Sequence, residues 1–342
     1  MKKMFWILGV AVAALTSCTN DEVVEVNQSN LIKFESFVNK GTRAVTETTT
    51  AELSQFYVIG GYGEDNSGKK YTNVFNNVAV TFNTTDNNWA PTTEAEWTAN
   101  TYRFAAYANQ NASESLSPTF DAEGLKFTDY VVSDAKDLVA VLSGEVDNTD
   151  LGNEAVALTF KHMLSQVKFT FKNTDASHTM SVSDISVSHV NNKGTGTLTN
   201  SGISWTDLSV YNNYALEYTG TTENVAVDET YAPDYQMVIP QTLNTENNEI
   251  QISFTITFYD NDGAVVSTEI FSNVSLVYDN DETEGEDNKN FTAWEPGYKY
   301  NYTANFPADP KTIRFTVTQV EDWEEQTAEG DNGNSGDNSM DF

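Results

Sequence analysis

Apolar and polar residues alternate one for one along much of this chain. Between residues 250 and 258 every second position is apolar. The same period recurs at Val167/Phe169/Phe171, Ile185/Val187, Tyr298/Tyr300/Tyr302 and Ile313/Phe315/Val317. Side chains of a strand alternate between its two faces, so each stretch predicts a strand with one buried face and one wet face. Asp260-Asn261-Asp262-Gly263 follows the first stretch, and an apolar-rich run resumes at 264–271, which predicts a hairpin closed by those turn residues. Further strands are predicted over 55–59, 78–82, 102–107 and 138–142. Helical spacing is scarce: residues 160–166 predict at most a short turn of helix. Gly60-Gly61-Tyr62-Gly63 follows a predicted strand with no helix pattern behind it, and so reads as a turn. Many short strands separated by turn signals predict an all-β protein built as antiparallel sandwiches or barrels.

The first residues break this pattern. Lys2 and Lys3 precede an apolar run over 4–15, which is too short to span a bilayer comfortably and has the flanks of a signal peptide. Leu15-Thr16-Ser17-Cys18 closely resembles a bacterial lipobox, so residues 1–17 read as a lipoprotein signal peptide and Cys18 as the acylated (palmitoylated) first mature residue. Thr19-Asn20-Asp21-Glu22 is acidic and resembles a signal for export to the outer face of the outer membrane. Cys18 is the only cysteine, so no intramolecular disulfide can form and stability must come from packed cores. With 50 acidic against 18 basic residues the formal net charge is −32, which excludes nucleic-acid binding for want of a basic footprint.

Candidate chemistry is thin. None of the three histidines, His162, His178 and His189, has a partner at metal-ligand spacing, and His162 opens an apolar stretch where a structural role is expected. No nucleophile elbow, phosphate-binding loop or dinucleotide glycine pattern occurs. Acidic pairs are so common that none stands out as an acid/base dyad. No catalytic, cofactor or metal residue is therefore assigned, and the chain is not read as an enzyme. The acidic stretches 260–263 and 279–287 read as solvated turns in preference to calcium loops, since neither fits the EF-hand register. Trp89, Trp97 and Trp205 lie in polar contexts and could touch sugars, although capping of sandwich edges is the plainer reading.

Five segments together resemble the fimbrillin superfamily, the subunits of type V pili. They are 31–38 with Gly41-Thr42-Arg43-Ala44, then 158–169, then Met237-Val238-Ile239-Pro240-Gln241, then 294–300, and finally 313–323 ending in Val320-Glu321-Asp322-Trp323. Their order covers nearly the whole mature chain. The resemblance implies two transthyretin-like antiparallel β-sandwich domains and export as a lipoprotein. It also implies cleavage after an arginine at the cell surface, and assembly with other fimbrial subunits by strand exchange. The residues fit this independently. Ile32, Phe34 and Val38 give 31–38 one apolar face. Arg103 and Arg314 fall inside strand patterns, which leaves Arg43 as the one arginine of three in a polar linker.

The expected organisation is a signal peptide (1–17), a tether and propeptide with the first strand (18–43), sandwich domains over 44–157 and 158–326, and an acidic tail (327–342). The stretch after Trp323 departs from the family pattern, because Glu324, Glu325 and a polar tail make a poor donor strand. The expected function is a stalk, tip or accessory subunit of a type V fimbria; this departure puts the stalk role in doubt and leaves open a tip or accessory subunit or a protein that never polymerises. The alternative function is a monomeric surface lipoprotein that binds glycans or host proteins.

Overall fold

A computed structural model describes residues 30–38, 53–62, 71, 74–109, 115–132, 137–147, 154–212, 214–218, 222–245, 248–277, 292–308 and 316–322. Residues 37, 38, 222, 223 and 316–322 are described by backbone alone. Among the described residues every regular element is a strand, as the alternation predicts.

The largest sheet has seven strands. They are β1 (Phe34–Val38), β2 (Gln55–Tyr62), β3 (Phe75–Asn83), β4 (Asn88–Pro91), β5 (Tyr102–Asn109), β8 (Leu138–Leu142) and β9 (Val156–His162), in the order β1-β9-β8-β5-β2-β3-β4. A four-stranded sheet covers its outer face. That sheet combines β6 (Thr119–Asp121) and β7 (Gly124–Val131) with the hairpin of β12 (Lys193–Thr199) and β13 (Gly202–Ser209), in the order β13-β12-β7-β6.

The remaining described strands form a second sandwich and two small pairs. One layer holds β10 (Ser165–Asn173), β16 (Thr230–Tyr231), β17 (Gln236–Val238), β24 (Tyr298–Phe306) and β25 (Thr316–Asp322). The other holds β11 (Thr179–Ser188), β14 (Leu216–Tyr218), β15 (Thr222–Val225), β21 (Gln251–Tyr259) and β22 (Val265–Ser275). Two small pairs complete the set: β18 (Gln241–Thr242) with β23 (Ala293–Trp294), and β19 (Asn244–Thr245) with β20 (Asn248–Glu249).

Each layer contact buries one alternating row. Val167, Phe169 and Phe171 of β10 meet Ile252, Phe254, Ile256 and Phe258 of β21 in the second sandwich. Tyr302 and Trp294 are buried in the same core, where the indole Nε1 donates to the Tyr302 hydroxyl at 2.9 Å. On the outer face of the first sheet, Ile59, Tyr107 and Leu138 pack against Leu125, Phe127 and Leu198. Its inner face holds a separate core, described below.

The predicted hairpin forms as β21 and β22. Asp260 Oδ1 accepts from the backbone N–H of Asp262 and Ala264 at 3.0 and 2.8 Å, and Gly263 takes φ +79°. That carboxylate is committed to its own turn, which supports the solvated-turn reading. Bulges recur where an Asn or Asp adopts the left-handed region, at Asn77, Asp129, Asp184, Asp207 and Asn273. These short polar side chains tolerate positive φ, and each bulge adds local twist.

Two local expectations are corrected. No helical turn occupies 160–166: β9 runs to His162 with strictly alternating burial, and β10 begins at Ser165. Buried Met163 and Leu164 form only the link between the two strands. Residues 60–62 are not a turn but the end of β2. There Gly60 is needed because a Cβ would lie 2.2 Å from Phe104 Cδ1 and 2.9 Å from the Arg103 carbonyl oxygen. Gly63 lies outside the described residues. The expected domain division at 157/158 falls inside β9, which stays in the first sheet, while β12 and β13 reach back to pair with β7.

Candidate functional site: the seat of the first strand

β1 is the terminal strand of its sheet, and its inward side chains line the core. Ile32 and Phe34 are buried, Lys33 and Glu35 are exposed, and the alternation continues with buried Ser36. β1 pairs with β9 in parallel, from Phe34 opposite Val156 to Val38 opposite Phe160, and Val156 N donates to Lys33 O at 2.8 Å. Upstream, Leu31 bridges Glu96 in the antiparallel sense. Ile32 N donates to Ala95 O and Trp97 N to Asn30 O, both at 2.8 Å, and Asn30 Nδ2 donates to Trp97 O at 2.7 Å. β1 also lies beside β4. Residues 30–38 thus lie between β9 and β4, the two ends of the other six strands.

What they cover is aromatic. The Phe34 ring meets Phe56, Phe75 and Phe104 edge-on, with centroids 6.4, 5.4 and 5.3 Å away. Offset and edge-to-face pairs of this kind add to the burial term. Phe56 in turn contacts Phe160 at 5.4 Å, so the cluster runs from β1 across the sheet to β9. Sequence spacing could not have found these partners, since they come from β2, β3 and β5.

The predicted site residues fall unevenly on this frame. Ile32 and Phe34 sit in the seat. Val38 joins it through the backbone pairing with Phe160. Cys18, Arg43 and Ala44 lie outside the described residues, as do the acidic stretch 279–287 and the tail. Arg103 sits inside β5, with its guanidinium 5.2 and 5.8 Å from the rings of Tyr71 and Phe120. Sequence reasoning passed over Ser36, although it shares the parity of Ile32 and Phe34.

The tryptophans belong to packing. Trp97 is buried against Tyr102 at 4.9 Å. Trp89, in β4, lies against Phe56 and Phe82 at 4.9 and 5.2 Å. Trp205, in β13, rests on Gly196, where a Cβ would come within 2.9 Å of its ring, and its Nε1 donates to Met163 O at 2.8 Å. The histidines are scattered. His162 Nδ1 is 2.8 Å from Asp137 Oδ2, with both side chains buried, and so ties the end of β9 to the start of β8. His178 pairs with Asp175 at 2.5 Å within a turn, and His189 lies 2.8 Å from Glu249 O. Among the described residues no three His, Cys, Asp or Glu side chains are placed to share a metal ion. Likewise no helix is long and apolar enough to cross a membrane.

No curated protein matches the chain. Solved structures do. A fimbrial protein from Bacteroides vulgatus superposes with a TM-score of 0.56 at 16% identity, covering 85% of this chain and 99% of that one, which shows a shared fold. A putative cell adhesion protein from Bacteroides uniformis aligns with a TM-score of 0.45 at 20% identity, over 86% of this chain and 99% of that one. A fimbrilin from Porphyromonas gingivalis aligns with a TM-score of 0.47 at 9% identity, over 86% and 97%. The sequence itself matches the fimbrillin-like family model over residues 42–323, most of its length, and on that match the chain belongs to the fimbrillin-like family.

Proposed function

We propose that the chain is the precursor of a fimbrial subunit, anchored through Cys18 and made competent for assembly by cleavage after Arg43. As a fimbrillin-like protein it is a structural component of the cell surface and not an enzyme. The observation that carries the proposal is the seat itself: a strand that precedes Arg43 pairs with the β9 edge and packs Phe34 onto the aromatic core of the first sandwich. The family match begins at residue 42, beyond this strand, which supports treating residues 30–38 as a separable part.

Cleavage would free β1 from its covalent tie. Loss of Ile32 and Phe34 forfeits on the order of 1.5–3 kcal/mol of burial each and leaves the β9 edge unpaired. An open strand edge above an apolar groove is a template for a strand from another subunit. Register would follow the alternation, because a slip of one residue turns Lys33 and Glu35 into the core. Arg103 is a poor competitor for the protease, held within β5 between β2 and β8.

The test is Arg43→Ala in the producing cells, with an Arg-specific digest of the wild-type precursor alongside. The variant should stay a folded, anchored monomer absent from filaments, and the digest should yield a chain beginning at Ala44 that forms multimers. Filaments that contain the uncut variant would refute the proposal.

A further inference from the structure

The inward row of β1 contains one residue that does not belong in an apolar seat. Ser36 is 5% exposed and, among the described residues, its Oγ has no hydrogen-bond partner. A hydroxyl removed from water without a partner destabilises the arrangement that buries it. It gains nothing from its neighbours on that face, which are Ile32 and Phe34, and its register partner on β9 is Leu158.

The chain does otherwise elsewhere. The order aliphatic-x-Phe-x recurs in β10 as Val167-x-Phe169-x-Phe171 and in β21 as Ile252-x-Phe254-x-Ile256. In both, the third inward residue is apolar and buried, and both strands are hydrogen-bonded along two sides. The segment that leads into β1 carries the same aliphatic-x-Phe order, Ile32 and Phe34, and then serine. The pairing of β1 with β9 is also the one parallel pairing in its sheet, the slightly weaker arrangement. Anchoring by Ile32 and Phe34 is strong, while the position after them is weak.

We propose that Ser36 makes the resident strand replaceable, and that the strand which displaces it carries a small apolar side chain at this position. The inference rests on the reading of β1 as an exchangeable strand. Release returns the Ser36 hydroxyl to water, and an apolar replacement seats without that loss. The difference gives exchange a direction without loosening the aromatic cage that keeps the precursor closed.

The experiment uses the full precursor, wild type and Ser36→Ala, cut after Arg43 in vitro. Release of the fluorescently labelled segment up to Arg43 is followed in excess unlabelled peptide. The peptides span residues 30–40, with the native sequence or with Ser36→Ala. Alanine removes only the hydroxyl, so it neither overpacks the seat nor threatens folding. The Ser36→Ala segment should leave about tenfold more slowly, and its peptide should bind the emptied seat about tenfold more tightly. Equal rates and affinities would overturn the role of Ser36 while leaving the exchangeable strand intact. A native segment that never leaves, or a seat that binds neither peptide, would overturn the exchangeable strand and this inference with it.

Discussion

Replacing Phe34 with alanine tests the seat most directly. The ring is buried, with three aromatic neighbours 5.3–6.4 Å away. Truncating a core phenylalanine removes burial and leaves a cavity that stiff neighbours cannot close, at a cost of about 3–5 kcal/mol. On the proposed reading β1 opens as a unit of its own, so much of that cost should then appear as local opening and not as global unfolding. The reporter is the backbone amide of Val156, whose partner is Lys33 O at 2.8 Å. A local loss of about 3 kcal/mol should speed hydrogen exchange there by more than about a hundredfold. Amides of β21, in the other sandwich, should change far less. Lys33→Ala, at an exposed position of the same strand, should shift stability by no more than about 0.5 kcal/mol. If Phe34→Ala accelerates Val156 by less than about threefold, the ring does not hold the strand. If it accelerates β21 amides equally, β1 is no separable unit, and the argument for its release loses its physical basis.

Alkaline pH should destabilise the fold through buried phenols. Tyr107 and Tyr300 are each pushed up to about 12, chiefly by burial, and Tyr302, fully enclosed, is raised as well. In the unfolded chain these hydroxyls ionise near pH 10, so above that pH the unfolded state releases protons first and stability falls, continuing to about pH 12. Urea midpoints should hold up to about pH 10 and decline beyond it, and Tyr300→Phe should flatten the decline. A Tyr300→Phe profile that runs parallel to wild type through that window would contradict this. Cys18→Ala should abolish acylation and retention of the precursor by membranes, since anchoring rests on acyl chains worth about 0.8 kcal/mol per buried CH₂. An unlipidated precursor that still fractionates with membranes would remove the anchor from the proposal.

Local signals were legible in the sequence wherever a strand buries one face by itself. The alternation over β21, the apolar-rich run that resumes after it and the Asp260–Gly263 turn chemistry gave that hairpin directly. The first strand was readable for the same reason, from Ile32 and Phe34 against Lys33 and Glu35. β12 and β13 were not read, because Lys193–Thr199 is small and polar and acquires an apolar partner only when Trp205 lies on Gly196. The 160–166 region misled because Met163 and Leu164 are both buried, one strand ending before them and the next beginning after. The aromatic cage was beyond sequence reasoning, since Phe56, Phe75 and Phe104 converge only through long-range pairing. Ser36 was within reach and was missed because a serine in an apolar row looks like noise until its burial is known.

The pairing of β10 with β24 carries a consequence for when the chain can fold. Gln166 lies opposite Lys299 and Asn173 opposite Phe306, in parallel, so a central ladder of the second sandwich joins segments far apart along the chain. Closing so long a loop must precede any return from the contacts it allows, and such topologies nucleate slowly. The first sheet has the same character, since β1 waits for β9. During synthesis and export neither sandwich can be completed until residues well past its own start have emerged. For a chain with a predicted export signal, this delay is useful. Under the proposed export it would keep the polypeptide extended during passage across a membrane, and the many like charges of the chain would oppose premature collapse or clumping in that interval.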